Sequence, residues 1–176
     1  MQLIGRAEML QYLEELSREL PDGTRETLVI VGGSMLAIRD LRDATRDIDT
    51  ATAVSQVLQG AVAVVATRHD LSPRWLNGDA AAFVPHSEVE IVDPDPVLET
   101  STLTVYTATA DAVFLMKLFA GRDRDWDDLV ALWPLCSFES PQAAADACNR
   151  AYDFIGIDDE FLASSVEEIA AAAAAT

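Results

Sequence analysis

The residues best placed to do chemistry fall in one stretch, GGSMLAIRDLRDATRDID, residues 32–49. Gly32 and Gly33 follow an apolar run, Leu28 to Val31, and precede Ser34; twelve residues separate that serine from Asp47, Ile48 and Asp49. Two glycines let backbone N–H groups approach an anion with no Cβ in the way. A helix starting at Ser34 would add free N–H groups and a dipole that favour phosphate. Aspartates at i and i+2 on a strand project to one face. Their carboxylates can share a hard cation such as Mg²⁺, which takes oxygen ligands and bridges to substrate phosphates. A phosphate cradle beside metal carboxylates is the minimum equipment for phosphoryl or nucleotidyl transfer. Acidic-x-acidic triplets also occur at 88–90, 93–95 and 123–125. What sets Asp47 and Asp49 apart is the order: strand, Gly-Gly-Ser, helix, then Asp-x-Asp on the next strand.

The elements that must hold this stretch can be read from periodicity. Met9, Leu13, Leu16 and Leu20 share one face of a helix over 7–20, ended by Pro-Asp-Gly at 21–23. ETLVIV, 26–31, reads as a buried strand, Ser34 caps a short helix over 34–41, and DIDTATAV, 47–54, reads as a second strand. A helix is predicted over 55–68, then a turn-rich loop carrying Trp75. Strands are predicted at 87–93 and 101–108 from their alternation. Four helices complete the chain: one from Thr109 or Asp111 to Gly121, one over 123–136 stopped by Pro134, one opened by Ser140 and Pro141, and one from Asp158 or Asp159 onward. The class is α+β: a small mixed β-sheet flanked by helices, with a helical C-terminal part. The reading takes residues 1–176 as a single domain, with its core about 27–133 and C-terminal helices over 141–176.

Composition narrows the partners. The chain of 176 residues carries a formal net charge of −18, which repels polyanions at long range. No apolar run is long enough to span a bilayer and the N-terminus lacks a secretory pattern, so a cytoplasmic protein with no membrane partner is expected. Cys136 and Cys148 have no metal-clip spacing and read as two buried thiols. Lys117 is the only lysine in a chain that otherwise uses arginine. It sits between Met116 and Leu118 in an apolar helix. A compact ammonium there suits a phosphate site; the plainer alternative is a snorkelling side chain at the helix edge.

VGGS at 31–34 followed by DID at 47–49 resembles the pattern of the nucleotidyltransferase superfamily, the fold of polymerase β. RWLNGDAAAFVP, 74–85, and FLMKLFAGRDRDWDDLVAL, 114–132, are similar to two further segments of a small bacterial branch of that superfamily, which includes MenT-type toxins and relatives of AbiEii toxins. The resemblance covers about residues 27–133. It implies transfer of a nucleotide from an NTP, with Mg²⁺, to an acceptor, which in MenT-type toxins is the 3′ end of tRNA. It further implies that Asp47 and Asp49 hold the metal and that the Gly32-Gly33-Ser34 turn contacts the triphosphate. Lys117 would neutralise phosphate charge, and Asp128 would act as a further metal ligand, general base or partner of Lys117. The acidic surface departs from a tRNA-binding toxin, so a protein acceptor stays open, as does a cognate antitoxin or phage-defence partner. The competing class is a catalytically inactive module of the same fold that binds nucleotide or a partner protein.

The remaining candidates have plainer readings. Glu88 and Glu90 could supply a third carboxylate or simply line a solvated strand. Arg46 could pair with Asp47 or meet a nucleotide, and Arg122 and Arg124 could touch the triphosphate or form surface ion pairs. His69 and His86 read as surface residues, and Trp75 and Trp133 as packing aromatics.

Overall fold

The computed structural model describes residues 3–152 and 159–176. Contacts divide the chain into two compact units, Met1–Ala82 with Val92–Ala108, and Phe83–Ile91 with Thr109–Thr176. The class is α+β, as the sequence predicts. Among the described residues no helix is long and apolar enough to cross a membrane.

Among the described residues the strands all fall in the first unit: β1 (Ile4–Gly5), β2 (Glu26–Val31), β3 (Ala44–Thr45), β4 (Ile48–Thr50), β5 (Leu76–Asn77), β6 (Leu98–Glu99) and β7 (Leu103–Thr107). Five form one mixed sheet in the order β5-β4-β2-β7-β6. β2 is its middle strand, parallel to β7 and antiparallel to β4. Its last four residues are all buried, as a strand covered on both faces requires. Helices α1 (Arg6–Glu19) and α3 (Gln56–His69) contribute Met9, Leu13, Leu16, Leu58, Val62 and Val65 to the core. Ser55 caps α3 by accepting a hydrogen bond from the Leu58 N–H. Trp75 is buried, its indole N–H donating to the Val62 carbonyl.

Several expectations need correction. The short helix α2 spans Gly32–Ile38, so it begins at the first glycine and not at Ser34, and its N-cap, Val31, makes no side-chain bond. The turn is completed by one left-handed residue, Gly32, with φ +61°. β4 ends at Thr50: the Thr52 N–H turns back to the Thr50 hydroxyl, which stops the extended run. The two-residue strands β1, β3, β5 and β6 were too short to show a period. Residues 87–93 are not a strand. Glu88 has φ +79°, which breaks an extended chain, and only an isolated bridge between Val92 and Ala108 survives. The free edge of β7 is taken by β6.

The second unit is helical: α4 (Ala110–Ala120), α5 (Trp126–Leu132), α6 (Pro141–Ala151) and α7 (Asp159–Ala174). Residues 112–118 of α4 are all buried, which makes it the central helix. Thr109 caps it, accepting from the Ala112 N–H, and Gly121 closes it at φ +56°. The helix predicted over 123–136 is three pieces: single 3₁₀ turns at 123–125 and 133–135 bracket α5. Pro134 has no N–H to extend the α-helical ladder. Ser140 and Pro141 open α6 as predicted, with Ser140 Oγ accepting from the Ala143 N–H. The predicted continuation of that helix past Tyr152, and Asp158 as a helix start, lie outside the described residues.

Candidate active site

The sheet register brings the two halves of the 32–49 stretch together. Val31, the last residue of β2, pairs with Asp49, and Ile30 pairs with Thr50. Asp49 therefore lies beside the glycine turn: a Cβ placed on Gly32 would stand 3.4 Å from Asp49 Oδ2. That distance is ordinary contact, so it is the left-handed backbone more than lack of room that calls for glycine here. A Cβ on Gly33 would meet Arg42 Nη1 at 3.1 Å and Thr45 Oγ1 at 3.4 Å. One carboxylate and one guanidinium thus flank the glycine pair.

Ser34 is fully buried at 0% exposure. Its hydroxyl donates to the Val31 carbonyl at 2.7 Å and accepts from the Asp49 N–H at 3.2 Å. The side chain joins the end of β2, the first turn of α2 and β4. Ile48 and Thr50 are buried, while Asp49 on the alternate face is half-exposed; Asp47, one residue ahead of β4, is half-exposed too. This donor chemistry fits a hard divalent cation. Carboxylate oxygens near water are what Mg²⁺ accepts, and two of them leave most of an octahedral shell to water and phosphate. Among the described residues no group of three or more His, Cys, Asp and Glu forms a cage able to hold a metal by itself.

Lys117 and Asp128 come together in the second unit, with an addition the sequence reading missed. Lys117 Nζ donates to Asp128 Oδ2 at 2.7 Å and to Asp125 Oδ1 at 2.8 Å. All three residues are buried, at 8%, 7% and 9% exposure. The lysine is therefore not a snorkelling one: its head group sits inside, matched by two carboxylates. Asp125 belongs to the DRD triplet that had seemed one of several chance acidic pairs.

Residues 7–139 match the family described as nucleotidyltransferase of unknown function (DUF6036). The chain belongs to this family. The match spans both the glycine–aspartate corner of this nucleotidyltransferase and its lysine–aspartate triad, and it ends before α6. No curated protein and no solved structure matches the chain. The family match supports the superfamily; it does not separate the toxin branch from others.

The other candidates differ in exposure and partners. Glu88 is bound by Arg150 at 2.7 Å, and Thr109 Oγ1 donates to the Glu90 carbonyl, so both glutamates belong to the helical unit. Arg46, Arg122 and Arg124 are exposed, as is His86. His69 is not a plain surface residue: half-buried, it bonds Glu15 at 2.8 Å and packs against Tyr12 with ring centroids 4.6 Å apart. Trp133 packs near Phe114, in keeping with a packing aromatic. Cys148 is buried and Cys136 only half-buried; both are free. Burial pushes the Cys148 thiol up to about 12 and raises Cys136 as well, with Asp111 adding to the latter, so neither is a ready thiolate nucleophile. Arg42 was overlooked, although its place inside the 32–49 stretch was a usable signal.

Proposed function

We propose that this nucleotidyltransferase-family protein is an enzyme that moves a nucleotide from an NTP, with Mg²⁺, to a hydroxyl acceptor on a tRNA or a protein. The observation that carries this reading is the register that seats Asp49 beside Gly32 within a chain of this family. Asp47 and Asp49 would hold the metal, which when bound offsets the charge developing on the phosphoryl oxygens. The Gly32-Gly33 backbone would lie along the polyphosphate, as close as only a residue without Cβ allows. Ser34 acts through its two hydrogen bonds, keeping Asp49 at a fixed distance from the turn. Lys117 is proposed to serve with Asp125 and Asp128 as a fixed polar joint that orients α4 and α5.

The net charge of −18 favours a protein acceptor, or an RNA end that enters without a long flanking tract, over broad tRNA binding. A toxin role, with a neutralising partner, fits an enzyme that modifies tRNA or a host protein. The test is incubation with Mg²⁺ and each labelled NTP beside total tRNA or cell lysate, with Asp49→Ala as control. Label on RNA or on a protein, lost in the variant, supports the reading and names the acceptor. NTP binding without transfer to either class would replace it with the inactive binding module.

A further inference from the structure

The direction of the Gly32-Gly33 backbone is set by the helix it opens. α2 has seven residues, and a helix that short has no stability of its own. Its place on the sheet must come from tertiary ties. At the N-terminal end the Ser34 hydroxyl supplies them, to the Val31 carbonyl and the Asp49 N–H. The C-terminal end is closed by a Schellman motif, in which the Leu41 N–H donates to the Leu36 carbonyl at 2.9 Å and the Asp40 N–H to the Ala37 carbonyl at 3.2 Å. Asp40 takes the left-handed position of that motif, at φ +58°. These bonds stop the helix from within. Arg6 of α1 then donates to the Ile38 carbonyl at 2.8 Å. Arg39, the C-cap residue, reaches furthest: its Nη2 donates to the Thr107 hydroxyl at 2.8 Å and to Asp93 Oδ2 at 2.5 Å.

Both acceptors are fixed parts of the sheet. Thr107 ends β7, is fully buried, and pairs with Ile30 of β2, one residue before Val31. Asp93 donates its N–H to the Thr107 carbonyl at 2.9 Å, and its Oδ1 accepts from the Asp95 N–H at 3.1 Å. Burial disfavours the charge on Asp93, but hydrogen bonds from Arg39 and the Asp95 N–H more than offset it and hold the carboxyl below its ordinary value. α2 is thus tied at one end to β4 and at the other to β7, the two neighbours of β2 in the sheet. We propose that Arg39 is a positioning residue for the glycine turn: by anchoring the C-terminal end of α2 to Thr107 and Asp93, it sets the angle at which the Gly32-Gly33 backbone meets a polyphosphate beside Asp49. The inference rests on the nucleotidyl-transfer reading above. Arg39 acts through the helix and not on the nucleotide. Without the anchor α2 tilts about Ser34, and the N–H groups of its first turn tilt with it. A misplacement of about 1 Å at a reacting group can cost about a hundredfold in rate.

The experiment is calorimetric titration of the full chain, with Mg²⁺, against non-hydrolysable NTP analogues and the matching NMP, with the melting temperature measured beside it. The wild type is expected to prefer triphosphate to NMP. Arg39→Ala should weaken triphosphate binding about tenfold or more, the scale on which orienting groups act at metal sites, and change NMP affinity less. Its melting temperature should stay close to wild type, because a partly exposed ion pair adds little stability. Arg39→Lys should recover part of the loss. Asp93→Asn should show a smaller loss of the same kind, and the double variant less than the two losses combined, since both break one tie. Arg18→Ala, whose partner is Glu14 in the same helix, controls for net charge. If Arg39→Ala does not fold, Arg39→Lys and Asp93→Asn carry the same titrations. Equal loss of NMP and triphosphate affinity, unchanged triphosphate binding, or a loss that only follows the folded fraction overturns the role of Arg39 alone. Failure of the wild type to bind any triphosphate overturns the function proposed above together with it.

Discussion

Two pairs of aspartates in this protein share a residue type and nearly share a spacing, yet meet opposite surroundings. Asp49, in β4 beside the glycine turn, and Asp47, one residue ahead of that strand, are half-exposed. Asp125 and Asp128 are buried and close on the Lys117 ammonium. Taking a carboxylate out of water is expensive unless a cation and hydrogen bonds accompany it. The inner pair therefore has a counter-charge built in beside it, and the part proposed for it is to hold α4 to α5. The outer pair keeps contact with solvent, where, on the function proposed, a hydrated Mg²⁺ would exchange water for carboxylate oxygen. Spacing alone does not tell the two pairs apart; depth does.

The sharpest way to break this contrast is to remove the inner cation. Lys117→Met leaves two buried carboxylates facing each other, and it should cost about 3–5 kcal/mol of stability, read by denaturant unfolding. Replacing all three residues with apolar ones of similar volume should recover most of that loss, since a buried ion triad adds little net stability. The outer pair should respond in the reverse sense. Asp49→Asn is expected to lower transfer by more than about 100-fold, beyond what losing a metal's outer-shell partner costs, while the melting temperature stays close to wild type. A variant that melts early with normal turnover would show that Asp49 is structural.

The glycines extend the contrast with smaller effects. Gly32→Ala forces a Cβ into a left-handed backbone and should cost about 1–2 kcal/mol. Gly60→Ala, in α3 with nothing within 4 Å of the new Cβ, should instead stabilise by about 0.4–1 kcal/mol. Equal melting shifts in the two would remove the case for a specialised turn at 32. The smallest effect is expected at Glu15 in α1. Hydrogen bonds from Gln11, His69 and Arg68, in that order, hold its carboxyl down at about 2. Its folded value lies below its ordinary one, so its contribution is complete above about pH 4.5 and lost as pH falls toward 2. Glu15→Gln should flatten the acid limb of a melting-temperature profile over that window only.

The sequence made the long elements legible. β2 was bounded correctly because four consecutive apolar residues before Gly-Gly admit few other readings, and α3, α4 and α6 showed their Ser or Thr caps. The corner at 32–49 was legible as a motif because its order of turn, helix and Asp-x-Asp carries more information than any one part. What stayed hidden depends on contacts distant in sequence. Two-residue strands have no period. The alternation at 87–93 was real, but Glu88 takes a left-handed backbone and β6 occupies the sheet edge that a strand there would have used. Lys117 stood out by being the sole lysine, yet its partnership with Asp125 could not be told from the several other acidic triplets.

The solitary lysine also gives the molecule an unusual chemical blankness. Apart from the α-amino group, the chain offers amine-reactive reagents only the Lys117 amine, which is 8% exposed. Acylation or amine cross-linking would leave the native helical unit almost unlabelled and mark it when α4 and α5 part. The rate at which that one nitrogen becomes reactive is thus a direct clock for opening of the helical unit.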